Sequence, residues 1–382
     1  MATLRALPVA SGAAVLAALS AVEEALDGRA SLLPVPADDP DQAATVREAL
    51  RDGEQIVDTV AAVLSTSGTT GTPKGAMLSA AALRASAEAT HDRLGGPGRW
   101  LLALPAYHVA GFQVLVRSVV AATAPVAVRA GASPADLAEA ISAMGPGRRY
   151  ASLVAAQLTK ALDDPAAADA LAALDAVLIG GGPMPAAVAE KASAAGLSVI
   201  RTYGMSETAG GCVYDGVPLS GVQVALDGSG RISLGGPTVA LGYRNPVVPD
   251  PFIEPGWFRT DDIGALDDSG VLHVRGRVDD AISTGGLTVL PGIVEAAVAT
   301  HPAVRECAVF GVPDERLGQR VVAAVVVEDG ATITPPEMRS HVAAELPATA
   351  APREVHVVAE LPRRGIGKID RRELIRRFTA GD

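Results

Sequence analysis

The sequence has 382 residues, which at about 150 residues per domain suggests two or three domains with buried cores. Its formal net charge of −11 argues against a sequence-independent nucleic-acid binder, because such proteins need a basic face that replaces the counterions around phosphate. The two cysteines, Cys212 and Cys307, lack metal-ligand spacing, so they indicate neither a disulfide framework nor a zinc site, and a reducing cytoplasm fits best.

The N-terminal stretch allows two interpretations. Arg5 precedes an apolar, Ala-rich run that resembles a secretory signal. The same residues fit an amphipathic surface helix that is capped by Ser11. Its apolar side chains recur at helical spacing: Val15, Leu16, Leu19, Val22 and Leu26. No stretch is apolar and long enough to span a bilayer, so the sequence predicts a protein without membrane insertion.

From Leu4 to about Gly211, strand-like apolar runs alternate with Ala-rich helical stretches. The strand-like runs are residues 58–66, 99–106, 124–130, 174–182 and 197–204, and helical stretches include 79–95 and 185–196. This alternation predicts an α/β fold in which helices cover both faces of a mostly parallel sheet.

After Gly216 the pattern changes to short strands. The turn sequences at 227–230 and 267–270 predict two hairpins, and hence a β-rich subdomain over about 216–277. The remaining chain reads as helix, strand, strand, helix, strand and a basic helix from Asp370, which predicts a small α+β domain. The predicted boundary near Asp279 separates a body of residues 1–278 from a C-terminal domain of residues 279–382.

The segment STSGTTGTPKG (65–75) follows the apolar run Val60–Leu64 and is rich in glycine and hydroxyl groups. A Walker P-loop requires Ser or Thr after the lysine, but here Gly75 follows Lys74, and the spacing from Gly68 is also wrong. The glycines nevertheless allow backbone N–H groups to turn toward an anion, and Lys74 adds a positive charge. The pattern therefore favours a phosphate-binding loop of another type over a solvated Ser/Gly loop.

This loop resembles the phosphate motif of the adenylate-forming superfamily, which includes acyl-CoA synthetases, adenylation domains of peptide synthetases, and firefly luciferase. Further segments resemble that superfamily's motifs in the same order: LIGGGPMP (178–185), RTYGMSETAGG (201–211), WFRTDDIG (257–264), GRVDDAISTGG (276–286) and LPRRGIGKIDRREL (361–374). The resemblance extends from Ser65 to Lys368. It covers the first sixty residues poorly, because the chain is shorter there than typical members.

The resemblance implies an ATP site built from several motifs. Tyr203 stacks on adenine, Glu207 binds the Mg²⁺ carried by ATP, and Thr208 contacts the α-phosphate. Asp262 holds the ribose hydroxyls, although Asp261 stands where the family has glycine, which leaves open which carboxylate points inward. The complete implied nucleotide-binding set is Ser65, Thr66, Ser67, Gly68, Thr69, Thr70, Gly71, Lys74, Gly181, Gly182, Pro183, Tyr203, Gly204, Asp262 and Arg277.

The same resemblance implies a two-step reaction. A carboxylate attacks the α-phosphorus of ATP to give an acyl-adenylate and pyrophosphate, and the thiol of coenzyme A then displaces AMP. Lys368 matches the catalytic lysine of the first step, and Asp279 matches the hinge about which the small domain turns. The family usually has Ile-Lys where this chain has Ile282 and Ser283, so any role of that lysine is absent.

The segment 104–118 corresponds to the family's acid-binding region. His108 matches a position that gates the acid, although a core histidine is an equal alternative. Arg117 lies in an apolar stretch, where burying an unpaired charge costs free energy. It is therefore expected to pair with either an anion on the substrate or an internal acid.

The amino-acid sequence of this region most resembles that of the o-succinylbenzoate-CoA ligases of menaquinone synthesis, especially compact actinobacterial ones. Another acyl- or aryl-CoA ligase, an adenylation domain that loads a carrier protein, and a non-catalytic nucleotide-binding protein are the alternatives. The sequence is compatible with a homodimer.

Overall fold

The computed structural model describes residues 1–66, 72–252, 254–364 and 368–379. Its strands are β1 (Ala2–Val9), β2 (Ser31–Pro36), β3 (Gln55–Ile56), β4 (Val60–Leu64), β5 (Ala76–Ser79), β6 (Arg99–Leu102), β7 (Val126–Ala127), β8 (Arg149–Val154), β9 (Ala176–Gly180), β10 (Val199–Met205), β11 (Gly210–Tyr214), β12 (Val217–Pro218), β13 (Gln223–Leu226), β14 (Arg231–Gly235), β15 (Trp257–Leu266), β16 (Leu272–Arg277), β17 (Ile282–Thr284), β18 (Leu287–Val289), β19 (Val304–Asp314), β20 (Gly318–Val327), β21 (Glu354–Val357), β22 (Arg363–Arg364) and β23 (Lys368–Ile369).

Its α-helices are α1 (Leu19–Leu26), α2 (Pro40–Ala49), α3 (Ala80–Arg93), α4 (Val109–Val120), α5 (Pro134–Ser142), α6 (Ala155–Leu162), α7 (Pro165–Ala172), α8 (Ala186–Ala194), α9 (Pro291–Ala299), α10 (Pro335–Ala343) and α11 (Arg371–Thr379). Short 3₁₀ segments cover Gly12–Ala18 and Ser206–Thr208.

The body contains a mixed five-stranded sheet and a mainly parallel seven-stranded sheet, and this confirms the predicted α/β class. One has the strand order β3-β1-β2-β4-β5, and the other has the order β12-β11-β10-β9-β8-β6-β7. Helix α4 is buried over residues 111–118 and packs against α1, α3, β6 and β11. It is therefore a central helix, which explains its almost uninterrupted apolar sequence.

The first residues differ from the predicted single helix. Ala2–Val9 form a strand parallel to β2, and a 3₁₀ segment precedes α1. Ser11 does not cap this segment, because its hydroxyl donates a hydrogen bond to Asp38 Oδ2 at 3.0 Å. Val15 and Val22 are buried as expected, whereas Leu16 is partly exposed. Within the described ranges, no helix has the length and apolar character needed to cross a membrane.

The β-rich part is an antiparallel sheet in the order β13-β14-β15-β16. Both predicted turns form, and in each the aspartate side chain accepts backbone N–H groups of the turn, as Asp227 does from Ser229 and Arg231. A further sheet in the order β18-β17-β20-β19, with β21 beside β20, forms the small C-terminal domain together with α9, α10 and α11. Apolar clusters cover this sheet on both faces.

Candidate active site

The phosphate loop begins at the carboxyl end of β4, an inner strand of the five-stranded sheet. β4 is buried along its whole length, and Ser65 and Thr66 follow it directly. The Oγ1 of Thr66 is buried and has no hydrogen-bond partner within residues 1–66 and the other described ranges. The predicted contacts of Ser67, Gly68, Thr69, Thr70 and Gly71 lie outside the described residues. Thr66 thus brings to the start of the loop a buried hydroxyl that no described residue satisfies.

The second half of the loop is fixed by the chain after Tyr243. The backbone N–H of Arg244 donates to Gly75 O at 2.8 Å, and that of Asn245 donates to Lys74 O at 2.9 Å. The Asn245 amide also donates to Pro73 O at 2.8 Å. These bonds hold Lys74, whose Nζ lies 5.3 Å from the centroid of the Tyr243 ring.

Tyr243 connects this loop to Glu207. Its hydroxyl donates to Glu207 Oε1 at 2.5 Å, and both side chains are buried. Burial and the neighbouring Glu207 carboxylate raise the pKa of Tyr243, so the phenol stays protonated and Glu207 remains the acceptor. Contacts through Tyr243 therefore link Lys74 to Glu207. The sequence motifs did not reveal this link because Tyr243 belongs to none of them.

The turn after β10 places Glu207 and Thr208. The Thr208 hydroxyl accepts from the Met205 N–H at 3.0 Å and donates to Gly210 O at 2.8 Å. A Cβ at Gly204 would lie only 2.1 Å from Gly210 O, so the close approach of β10 and β11 requires glycine there. In this conformation the Thr208 hydroxyl closes the turn, and its contact with the α-phosphate stays a prediction.

Tyr203 and Asp262 meet at the junction of two sheets. The Tyr203 hydroxyl donates to Asp262 Oδ2 at 2.6 Å. Burial and the Asp262 carboxylate raise the pKa of Tyr203 far above its usual value. Asp262 is 7% exposed, whereas Asp261 is half-exposed and pairs with Arg231. Asp262 is therefore the carboxylate that points toward Tyr203.

Arg277 lies between this pair and the start of the small domain. Its Nη1 lies 3.3 Å from Asp262 Oδ1, and its Nη2 donates to Asp279 Oδ2 at 2.8 Å. Burial alone would lower the pKa of Arg277, but the hydrogen bond to Asp279 and the charges of three carboxylates raise it. The predicted ribose ligand and the predicted hinge residue thus share one arginine.

The predicted adenine-side segment lies at the same sheet edge as Tyr203. Gly181, Gly182 and Pro183 follow β9, which runs parallel to β10. Gly181 has a φ of +83°, and a Cβ added at Gly182 would meet open space. Since parallel strands end at a common edge, the segment and Tyr203 lie at the same end of the seven-stranded sheet.

His108 and Arg117 mark opposite ends of α4. His108 is the N-cap residue and its ring lies 4.6 Å from the Tyr107 ring, whereas Arg117 is in the last turn. Their positions are about 14 Å apart along the helix axis, at 1.5 Å per residue. The two predicted acid-binding residues therefore border different parts of the helix and do not form one cluster.

Arg117 is 3% exposed, and within the described ranges its neighbour is the Tyr214 hydroxyl and not a carboxylate. Its Nη2 lies 3.3 Å from the Tyr214 hydroxyl, its Cζ lies 4.7 Å from the Trp100 ring centroid, and its Nε has no partner among those residues. Burial and this nearby positive charge lower the pKa of His91 to about 4, so His91 is neutral at pH 7. The internal acid that the sequence left open as a partner of Arg117 is absent from the described structure.

Lys368 belongs to a two-stranded hairpin in which β23 pairs with β22. Just beyond it, Arg371 forms a double hydrogen bond with Glu295 at 2.6 and 2.9 Å and an ion pair with Asp280 at 3.3 Å. The backbone carrying Lys368 is thus attached to α9 and to the segment that follows Asp279.

Comparison with known proteins places these motifs in context. Residues 8–244 match the family model described as AMP-binding enzyme, and residues 293–368 match the AMP-binding enzyme C-terminal domain. The chain is 63% identical to a probable 2-succinylbenzoate-CoA ligase of Mycobacterium tuberculosis, over 98% of this chain and 99% of that one.

More distant relatives agree with these matches. A 2-succinylbenzoate-CoA ligase of Geobacillus kaustophilus is 35% identical, over 83% of this chain and 69% of the relative. The structure of o-succinylbenzoate coenzyme A synthetase from Bacillus subtilis, in complex with its acyl-adenylate intermediate, shares the fold with a TM-score of 0.76. It is 24% identical and the match covers 97% of this chain and 88% of that one.

Proposed function

The chain belongs to the AMP-binding enzyme family, and we propose that it is an ATP-dependent ligase that converts o-succinylbenzoate and coenzyme A to o-succinylbenzoyl-CoA. The observation that carries the proposal is the 63% identity to a probable ligase of this specificity over nearly the full length of both chains. A role in menaquinone synthesis and a cytoplasmic location are parts of the same proposal.

In the first step, an oxygen of the substrate carboxylate attacks the α-phosphorus of ATP, and the bond to the bridging oxygen breaks to release pyrophosphate. Two anions must meet, so fixed positive charge is the main requirement. Lys74 binds the departing phosphates and Lys368 bridges the carboxylate and the α-phosphate. Tyr203, Asp262 and Arg277 hold the nucleoside.

Glu207 is suited to the Mg²⁺ that enters with ATP. Its buried carboxylate is kept an acceptor by Tyr243, and hard cations prefer carboxylate oxygens completed by phosphate and water. In the described ranges, no group of three or more His, Cys, Asp and Glu side chains could hold a metal ion by itself. Bound magnesium supplies charge neutralisation at the phosphates.

The substrate has two carboxylates, and only one is activated. We assign the other to Arg117, because this guanidinium is buried without a carboxylate partner in the described residues and has a donor, Nε, left unpaired. A buried unpaired charge is costly, and a substrate anion would offset that cost. His108, at the other end of α4, gates the path to the adenylate.

In the second step, the coenzyme A sulfur attacks the acyl carbon, AMP leaves, and the thiol proton passes to solvent. Lys368 has no role once pyrophosphate has gone, and the thiol needs an open path. A rotation of the small domain about Asp279 satisfies both requirements. The Arg277–Asp279 pair lies where such a rotation starts.

A panel of carboxylic acids tests this function through acid-dependent release of AMP in the presence of coenzyme A. We expect o-succinylbenzoate to be preferred, and no response to it would overturn the substrate assignment. Replacing coenzyme A by a phosphopantetheinyl carrier protein distinguishes a carrier-loading adenylation domain. Absence of acid-stimulated ATP–pyrophosphate exchange with every acid would favour a non-catalytic nucleotide-binding protein.

A further inference from the structure

Gln113, in the middle of α4, is a buried polar residue that the reaction described above does not use. Its side chain is fully buried, and neither Nε2 nor Oε1 has a hydrogen-bond partner within the described part of the chain. Nearly all buried amides in folded proteins are paired, so an amide with both atoms unpaired indicates a missing partner.

The position of Gln113 relates it to the adenylate site. A Cβ at Gly210 would lie 3.2 Å from Gln113 Cγ and 3.7 Å from Val109 Cγ2, so this face of α4 lies against the turn that carries Glu207. Val109, Gln113 and Arg117 follow one another at four-residue spacing and share that face. Gln113 is therefore about one helical turn from Arg117, on the side of the reacting groups.

The chemistry of the proposed substrate matches this order. A 2-succinylbenzoate has a ketone between its aromatic ring and the short chain that ends in a carboxylate. An acid that reaches from the adenylate site to Arg117 must pass Gln113 with its central part. The ketone oxygen only accepts hydrogen bonds, and the Gln113 amide offers two N–H donors.

We propose that Gln113 is a specificity-determining residue whose amide N–H donates to the ketone oxygen of the bound acid, and this rests on the proposed function. The contact selects 4-oxo acids over acids with a methylene at that position, because a methylene leaves the buried amide unpaired.

The test compares o-succinylbenzoate with 2-(3-carboxypropyl)benzoate, which has CH₂ in place of the ketone. We expect wild-type kcat/KM to favour the ketone by about 10- to 100-fold. Gln113→Met, which keeps the side-chain volume, should reduce this preference to within about threefold, mainly through a higher KM for the ketone. Its melting temperature should not fall, since an unpaired buried amide is replaced by an apolar group.

Ser118→Ala is the matched control, because Ser118 is another buried α4 side chain whose Oγ is unpaired in the described structure. It should leave the ratio of the two acids unchanged. Equal changes for both acids in Gln113→Met, or a wild-type enzyme that does not distinguish them, would overturn the role of Gln113 while leaving the proposed function intact. Failure of wild-type enzyme to use either acid would instead overturn the proposed function.

Discussion

Asp261 and Asp262 are neighbours in β15, where burial alternates along the strand, so that Asp262 is buried and Asp261 is partly exposed. Asp261 pairs with Arg231 near solvent, whereas Asp262 accepts the Tyr203 hydroxyl in a buried position. Ribose hydroxyls need a hydrogen-bond acceptor beside the base. Asp262 is the carboxylate that contacts Tyr203, the residue expected to stack on adenine. This geometry favours Asp262 as the ribose ligand.

The two carboxylates form a matched pair for mutagenesis. Asp262→Asn should raise the KM for ATP by about 10- to 100-fold, because the charged acceptor for the ribose hydroxyls is lost. Asp261→Asn should change it by less than about threefold, because Asp261 is partly exposed and its 3.5 Å contact with Arg277 is long. Arg277 keeps its closer bonds to Asp262 and Asp279 in that variant. The ATP dependence of acid-stimulated AMP release measures both. A larger effect at Asp261 would assign the ribose to that residue.

Candidate site residues within short motifs were proposed from the sequence, whereas residues outside the motifs were not found. Tyr203 and Glu207 were identified by resemblance, and the structure brings them beside Asp262 and Lys74. Tyr243 was missed because it reaches Glu207 only through the fold and is separated from it by 36 positions. The unpaired state of Gln113 likewise becomes visible only when its surroundings are known.

At the scale of elements, the turn into β5 depends on Gly75. Its φ is +72°, and a Cβ there would lie 2.6 Å from Leu50 Cδ2 and 2.9 Å from Val63 Cγ1. The turn therefore needs glycine both for its backbone conformation and for close packing against β4. The packing fixes where the phosphate loop ends and hence where Lys74 lies.

Gly131 allows the effect of backbone conformation to be measured without the effect of packing. It has the same φ of +72° as Gly75, but no atom lies within 4 Å of an added Cβ. Gly131→Ala should lower the free energy of unfolding by about 1–2 kcal/mol from backbone strain alone. Gly75→Ala should lower it by about 1–3 kcal/mol more, since the methyl group also overpacks the core. Thermal unfolding of the two variants provides the comparison, and equal losses would show that the packing is not tight.

The prediction of elements succeeded where hydrophobic periodicity and turn residues agreed. The sequence of β2 contains Pro34 and Pro36, which argue against a central strand, yet β2 lies between β1 and β4. It pairs with β1 as far as Pro36, but it pairs with β4 only at Leu32, opposite Ala62. The prolines therefore lie beyond the part of β2 that pairs with β4. Local sequence patterns do not reveal this, because the extent of the pairing depends on residues about 30 positions away.

For the whole molecule, the α/β class and the small C-terminal domain were predictable because each follows from element order. The order of strands within each sheet was not, since it depends on pairings between distant segments. The boundary at Asp279 stays a prediction. The shared contacts of Arg277 with Asp262 and Asp279 support it, because they join the nucleotide side of the body to the proposed pivot.

Lys368 and Asp279 together lead to a prediction about the complete reaction cycle. If the small domain delivers Lys368 only for adenylate formation, Lys368→Ala should lower the rate of that step by about 10²- to 10³-fold, the typical effect of removing one preorganised charge. Thioester formation from supplied o-succinylbenzoyl-adenylate should stay within about threefold of wild type. Single-turnover assays of each half-reaction measure these rates.

Arg377→Ala is the control for this variant, because Arg377 is an exposed residue of α11 that pairs only with Glu373 in the described structure. It should leave both half-reactions unchanged, since an exposed helical ion pair contributes little. Equal loss of both steps in Lys368→Ala would contradict the two-orientation mechanism. A selective loss of adenylate formation would separate the roles of the small domain in the two steps, because only the first requires positive charge between two anions.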